Sequence, residues 1–203
     1  MRPKGRPEGE SAPQRLAEGI PMSTLPPAAA KLRGRSFVFG DNIDTDIIAP
    51  GNTISFGLGD AFEEEDVKRN AFKAVRPGFY KDVRPGDILV AGRNFGLGSH
   101  REPANKALVS LGFRAVIAES VARLFFRNAV AIGFYVFQVP GITKFVREGD
   151  ELEIDVDAAT LRNLTQRTEL ALEPFSPLVR RIVDRGGILE VLKDRLAAEA
   201  ARA

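Results

Sequence analysis

Asn94-Phe95-Gly96-Leu97-Gly98-Ser99-His100-Arg101-Glu102 sets a hydroxyl, an imidazole, a guanidinium and a carboxylate side by side, directly after two glycines. Glycine reaches backbone conformations closed to other residues, so Gly96 and Gly98 read as the support that presents these four polar groups. The run before them, Asp87-Ile88-Leu89-Val90-Ala91, is a short apolar strand opened by the turn Pro85-Gly86; Asn105 to Leu111 reads as helix. A strand, a glycine turn and a helix start bring backbone N–H groups to bear on an anion. A substrate carboxylate would suit that place, and so would a serine oxygen that must carry negative charge.

Four readings of this loop compete. A dinucleotide fingerprint needs a third glycine where Arg101 stands, and a P-loop needs Gly-Lys-Ser/Thr at its end; neither pattern is met. A capping box would use Ser99 as the N-cap and Glu102 as its reciprocal partner, although Pro103 suits the first helical position better than the fourth. In the fourth reading Ser99 and Arg101 face a carboxylate-bearing substrate, the arginine offering its two-pronged fork. The last two are compatible, since a cap and a site can share residues.

The elements that must position this loop follow from apolar runs and turn residues. Gly34 to Phe39 reads as a first strand, leading into the acid-rich Asp41-Asn42-Ile43-Asp44-Thr45-Asp46. Asn52 to Gly59 is punctuated by glycine and reads as a loop, and Asp60 to Ala74 as a surface helix. Arg114 to Ala118 and Phe134 to Val139 are buried strands, with a helix between them from Ser120 through Val130. Strand and helix alternate from Asp87 to Val139, which predicts parallel βαβ units. Beyond them Asp150 to Val156 alternates as a half-exposed strand, Arg162 to Leu172 reads as a hairpin, and helices are expected over Pro177–Asp184 and Ile188–Ala200. The predicted class is one α/β domain with an added β portion, spanning 34–203. Residues 1–33, rich in Pro, Ala, Gly and Arg, read as a disordered extension, or Met22 is the true start.

Composition narrows the chemistry. Lys and Arg number 29 against 27 Asp and Glu, for a net charge of +2, so no nucleic-acid partner is expected. With no cysteine and one histidine, the chain cannot build a disulfide, a thiolate metal site or a two-histidine site, and no metal ligand is expected in it. No apolar run of about 18 residues exists to span a membrane. The N-terminus also lacks a secretory core, so no membrane contact and a cytoplasmic location are expected.

Taken in order, several stretches resemble the small subunits of 3-isopropylmalate dehydratase, the separate form of the aconitase swivelling domain. They are Gly40-Asp41-Asn42-Ile43-Asp44-Thr45-Asp46-Ile47-Ile48 with Pro50, and Asn94 to Ser99 followed by Arg101-Glu102. Ala115 to Asn128, Gly149-Asp150-Glu151-Leu152 and Gly186-Gly187-Ile188-Leu189 extend the resemblance over roughly 34–195. It implies a swivelling β/β/α domain of the aconitase C-terminal type and a hydro-lyase that interconverts 2- and 3-isopropylmalate for leucine synthesis. It also implies a large partner subunit carrying a [4Fe–4S] cluster. By the same resemblance Ser99 is the catalytic base, Arg101 and Asp46 bind a small carboxylate substrate, and Gly96, Gly98 and Glu102 support the site.

The chain departs from the family pattern in two places. Ser99-His100-Arg101-Glu102-Pro103-Ala104 stands where the family has Ser-Ser-Arg-Glu-His-Ala. His100 therefore either fills a solvent-facing slot or reshapes the substrate pocket and makes activity pH-dependent. No arginine occurs from Ser36 to Lys68, where the family presents one to the site. A homologous dehydratase for homoaconitate or a methylated malate, and a non-catalytic binding module, are the alternatives these departures raise.

Overall fold

Ile88–Ala91, Ala115–Ala118 and Tyr135–Gln138 are short runs whose side chains are almost all buried on both faces, the burial expected of parallel strands covered on each side. The computed structural model describes residues 31–51, 64–99 and 103–202. In chain order it has β1 (Lys31–Val38), α1 (Thr45–Ile48), α2 (Glu64–Asn70), a 3-10 turn (Phe79–Lys81), β2 (Ile88–Ala91), α3 (Pro103–Leu111), β3 (Ala115–Ala118) and α4 (Arg123–Ala131). β4 (Tyr135–Gln138), α5 (Ile142–Phe145), β5 (Glu151–Asp155), β6 (Thr160–Asn163), β7 (Thr168–Ala171), α6 (Pro177–Asp184) and α7 (Ile188–Ala200) complete it.

The seven strands form one sheet in the order β4-β3-β2-β1-β5-β6-β7. β1 serves two partners. Ser36, Phe37 and Val38 pair in parallel with β2, whereas Lys31 to Arg35 pair antiparallel with β5. That handover divides the sheet into a parallel half, β1 to β4, and an antiparallel half continued by β5, β6 and β7. The α/β class and the parallel units expected from Asp87 to Val139 are therefore found. Successive residues of β2 feed two cores: Leu89 and Ala91 pack with Leu108, Phe113 and Phe125, and Ile88 and Val90 with Leu152, Ile154 and Ile182. Below the end of β1, Phe37, Phe39, Phe72 and Phe79 meet largely edge to face, which gives that end a stiff floor.

Several boundaries differ from the sequence reading. β1 begins at Lys31, inside the expected extension of 1–33, because Leu32 is 2% exposed and opposite Ile154. Residues 1–30, where Met22 lies, and the expected loop 52–59 are outside the described residues. α4 opens at Arg123 rather than Ser120, whose hydroxyl and carbonyl are taken up by the neighbouring strand end. α1 and α5, four residues each, were not foreseen.

Tyr135 lies 3% exposed on β4, with its hydroxyl donating to Asp184 at 3.2 Å. Burial, with the Asp184 charge added, pushes its phenol up to about 12. A phenol raised in the folded state favours folding fully below its ordinary value of about 10 and loses that contribution as pH rises towards 12. A phenolate titration read at about 295 nm should show one late-ionising tyrosine that Tyr135→Phe removes, and stability should fall across that interval. Complete ionisation of both tyrosines near their ordinary value would contradict this assignment.

Candidate active site

The C-terminal ends of β1, β2 and β3 are joined by a set of short bonds. Asp41 accepts the backbone N–H of Arg93 at 2.8 Å and pairs with its guanidinium at 2.8 and 3.1 Å. The Arg93 backbone N–H, chiefly, and then its side chain hold the Asp41 carboxyl below its usual range. One residue on, Asn42 and Asn94 both adopt left-handed backbone, φ +59° and +60°, and the Asn94 amide donates to the Asn42 side-chain oxygen at 2.9 Å. Ser120, at the end of β3, accepts the Asn94 N–H on its hydroxyl at 2.8 Å and the Phe95 N–H on its carbonyl at 3.0 Å. Three strand ends thus share one polar seam.

From that seam the chain enters the glycine loop. Phe95 is fully buried, edge to face with Phe125 at 5.2 Å. Gly96 has φ +73° and donates to the Ile43 carbonyl at 2.7 Å; a Cβ there would lie 2.3 Å from the Phe125 ring. The Leu97 carbonyl accepts the Thr45 N–H at 2.9 Å, and the Ser99 N–H donates to Thr45 Oγ1 at 2.8 Å. Gly98, φ +110°, lies between those two bonds, and a Cβ there would approach Thr45 Oγ1 to 2.8 Å. These contacts bring Ser99, half-buried, to the side of α1, where Asp44 caps the first turn by accepting the Ile47 N–H at 2.7 Å.

Ser99, Asp46, Thr45, Ala49 and Pro103 line one shallow dent. The structure therefore unites Ser99 with Asp46, 53 positions apart in the chain, and sets Gly96 against Phe125 and Gly98 against Thr45. Asp46 itself is exposed. His100, Arg101 and Glu102 lie outside the described residues. α3 runs from Pro103, whose missing N–H costs nothing in a first turn. Of the backbone N–H groups expected to converge on an anion here, that of Ser99 is taken by Thr45. A hydroxyl and a carboxylate at one surface can hold or move a proton. Among the described residues no group of three or more His, Asp or Glu is arranged for a metal.

Sequence reasoning missed Thr45 and the Asn42–Asn94 pair. A signal for the pair was present: each asparagine follows a charged residue just past a strand, where left-handed backbone is common for this side chain. Thr45 is flanked by two acids that draw the eye, and nothing local foretells a bond to residue 99. A larger hollow, bounded by Arg127, Phe137 and Phe175 near the edge strand β4, contains none of these residues.

The fold and the loop are those of a known class. The aconitase C-terminal domain family matches residues 60–140. The 3-isopropylmalate dehydratase small subunit of Thermodesulfovibrio yellowstonii is 40% identical over 169 residues, 83% of this chain and 98% of that protein. That of Pyrobaculum calidifontis is 43% identical over 164 residues, 81% of this chain and 98% of its own length. The crystal structure of 3-isopropylmalate dehydratase from Methanocaldococcus jannaschii superposes with a TM-score of 0.77 at 33% identity, covering 85% of this chain and 99% of that one. The chain belongs to the 3-isopropylmalate dehydratase small-subunit family.

Gly96→Ala tests the loop's dependence on this packing. It places a side chain at φ +73° against a buried ring, which should cost about 3 kcal/mol of stability. Urea unfolding measures it. A loss below about 1 kcal/mol would mean that Phe125 gives way and that the loop is not fixed by it.

Proposed function

We propose that this chain is the small subunit of an aconitase-type hydro-lyase, and that its substrate is 3-isopropylmalate. The enzyme would interconvert 2- and 3-isopropylmalate by dehydration and rehydration, as a step of leucine synthesis in the cytoplasm. The observation that carries the reading is the joining of Ser99 and Asp46 at one dent in a chain of this family. No helix among the described residues is long and apolar enough to cross a membrane.

With no cysteine, and no cluster of His, Asp or Glu among the described residues, this chain does not fit a [4Fe–4S] cluster, and the proposal assigns that group to the large subunit. When bound there, the cluster supplies a Lewis acid. The work of this chain is proton transfer and substrate holding. Ser99 takes the proton from the carbon next to a substrate carboxylate, a task a serine performs only when its alkoxide is stabilised. Arg101 holds that carboxylate with its fork and adds positive charge. Asp46, on α1 beside Ser99, orients the polar groups of the substrate. His100 follows Ser99 in sequence, and an imidazole there, of a type with a reference pKa of about 6.5, would give the rate a pH dependence.

The absence of arginine from Ser36 to Lys68 favours one second reading, a homologous dehydratase for homoaconitate or a methylated malate. The complex with its large subunit, reconstituted with iron under anaerobic conditions, should be assayed with each of these acids. Turnover of 3-isopropylmalate ahead of the others is expected; no turnover of any with the cluster intact would end the enzyme reading and leave a binding module. In that complex Ser99→Ala should lower kcat on the order of 10³-fold while assembly is unchanged. Undiminished turnover would remove Ser99 from the role of base.

A further inference from the structure

We infer that Thr45 is a positioning residue for Ser99, and that its hydroxyl oxygen, not its bulk, does the positioning. The inference rests on the catalytic reading of Ser99 above. Thr45 is 5% exposed and opens α1, one residue before Asp46. It meets the glycine loop at two points: its N–H donates to the Leu97 carbonyl at 2.9 Å, and its Oγ1 accepts the Ser99 N–H at 2.8 Å. The two bonds bracket Gly98, so the peptide units on both sides of that glycine are fixed to one residue of α1.

The geometry is specific to a hydroxyl in this place. Gly98 has no Cβ, and one built there would lie 2.8 Å from Thr45 Oγ1, so the loop approaches threonine closely because glycine lets it. Gly96, just before, is tied to Ile43 at 2.7 Å and wedged against Phe125. The loop is therefore held at Gly96 by packing and at Ser99 by Thr45, with Leu97 and Gly98 between. Losing the Oγ1 bond loosens the peptide between Gly98 and Ser99, while the Leu97 bond and the packing at Gly96 keep the fold. Because Asp46 follows Thr45 on the same helix, this clasp also sets the separation of the two side chains that share the dent. Ser99 needs its oxygen aligned with a carbon–hydrogen bond, and a misplacement of about 1 Å can cost roughly 10²-fold in rate.

Thr45→Val keeps the shape and removes the acceptor; Thr45→Ser keeps the acceptor. In the reconstituted complex, Thr45→Val should lower kcat roughly 10²-fold with KM little changed, and Thr45→Ser should restore most of it. Amide hydrogen exchange at Ser99 should quicken in Thr45→Val and stay slow in Thr45→Ser, a readout that needs no turnover. Thr45→Ala replaces valine if that variant does not assemble. Normal kcat in Thr45→Val despite quickened exchange would overturn the positioning role, and so would unchanged exchange at Ser99. A wild-type complex inactive on every acid tested would sink the proposed function instead, leaving the exchange result to decide whether Thr45 holds the loop.

Discussion

At the ends of parallel strands, backbone N–H and C=O groups run out of ladder partners, and in this chain those of β1, β2 and β3 find one another. Gly92 donates to the Gly40 carbonyl, Asn42 to that of Arg93 and Phe95 to that of Ser120. Buried or half-buried backbone groups must be satisfied somewhere, so each strand end dictates where the next can go. The left-handed asparagines and the Asp41–Arg93 pair add side chains to the same seam. The ion pair itself is exposed and adds little stability. What matters is the bond from the Arg93 backbone N–H to the Asp41 carboxylate, which fixes the level at which the glycine loop leaves β2.

Everything at the dent follows from that level. Phe95 drops into the core against Phe125, Gly96 passes over the same ring, and Leu97 reaches Thr45. The route is narrow because a buried ring beneath it is held by other rings and by Ala129 and Phe134 in one core. A site made this way takes its precision from backbone bonds and close packing, not from long side chains whose rotamers would have to be frozen.

Much of the fold was legible because its signals are local. β2 and β3 are unbroken apolar runs between turn residues, and α6 and α7 have the predicted bounds, since Ser176-Pro177 starts one helix and Gly186-Gly187 separates the two. α1 and α5 were not legible, since four residues show no period. The start of β1 was hidden by composition: one buried leucine and three β5 partners outweigh a polar, proline-rich neighbourhood that only an average over the segment records. At the site, Gly96, Gly98 and Ser99 could be read because glycine before a helix start has a short list of uses. Thr45 could not, because a bond across 54 positions leaves no mark on spacing.

The half-open setting of Ser99 bears on what a small subunit can do alone. A serine oxygen gives up its proton only where fixed charge and donors favour the anion, and such charges are weak when water screens them. Here the dent is shallow, Asp46 is exposed, and the Ser99 N–H already serves Thr45. In the proposed reaction the guanidinium of Arg101 adds to the stabilisation, and it gains strength when another surface covers the dent and excludes water. On that proposal a second subunit would serve the chemistry by covering the dent, beyond carrying a cluster. In the proposed reaction this chain contributes a serine whose backbone Thr45 holds, and a covering surface strengthens the charges that make it basic.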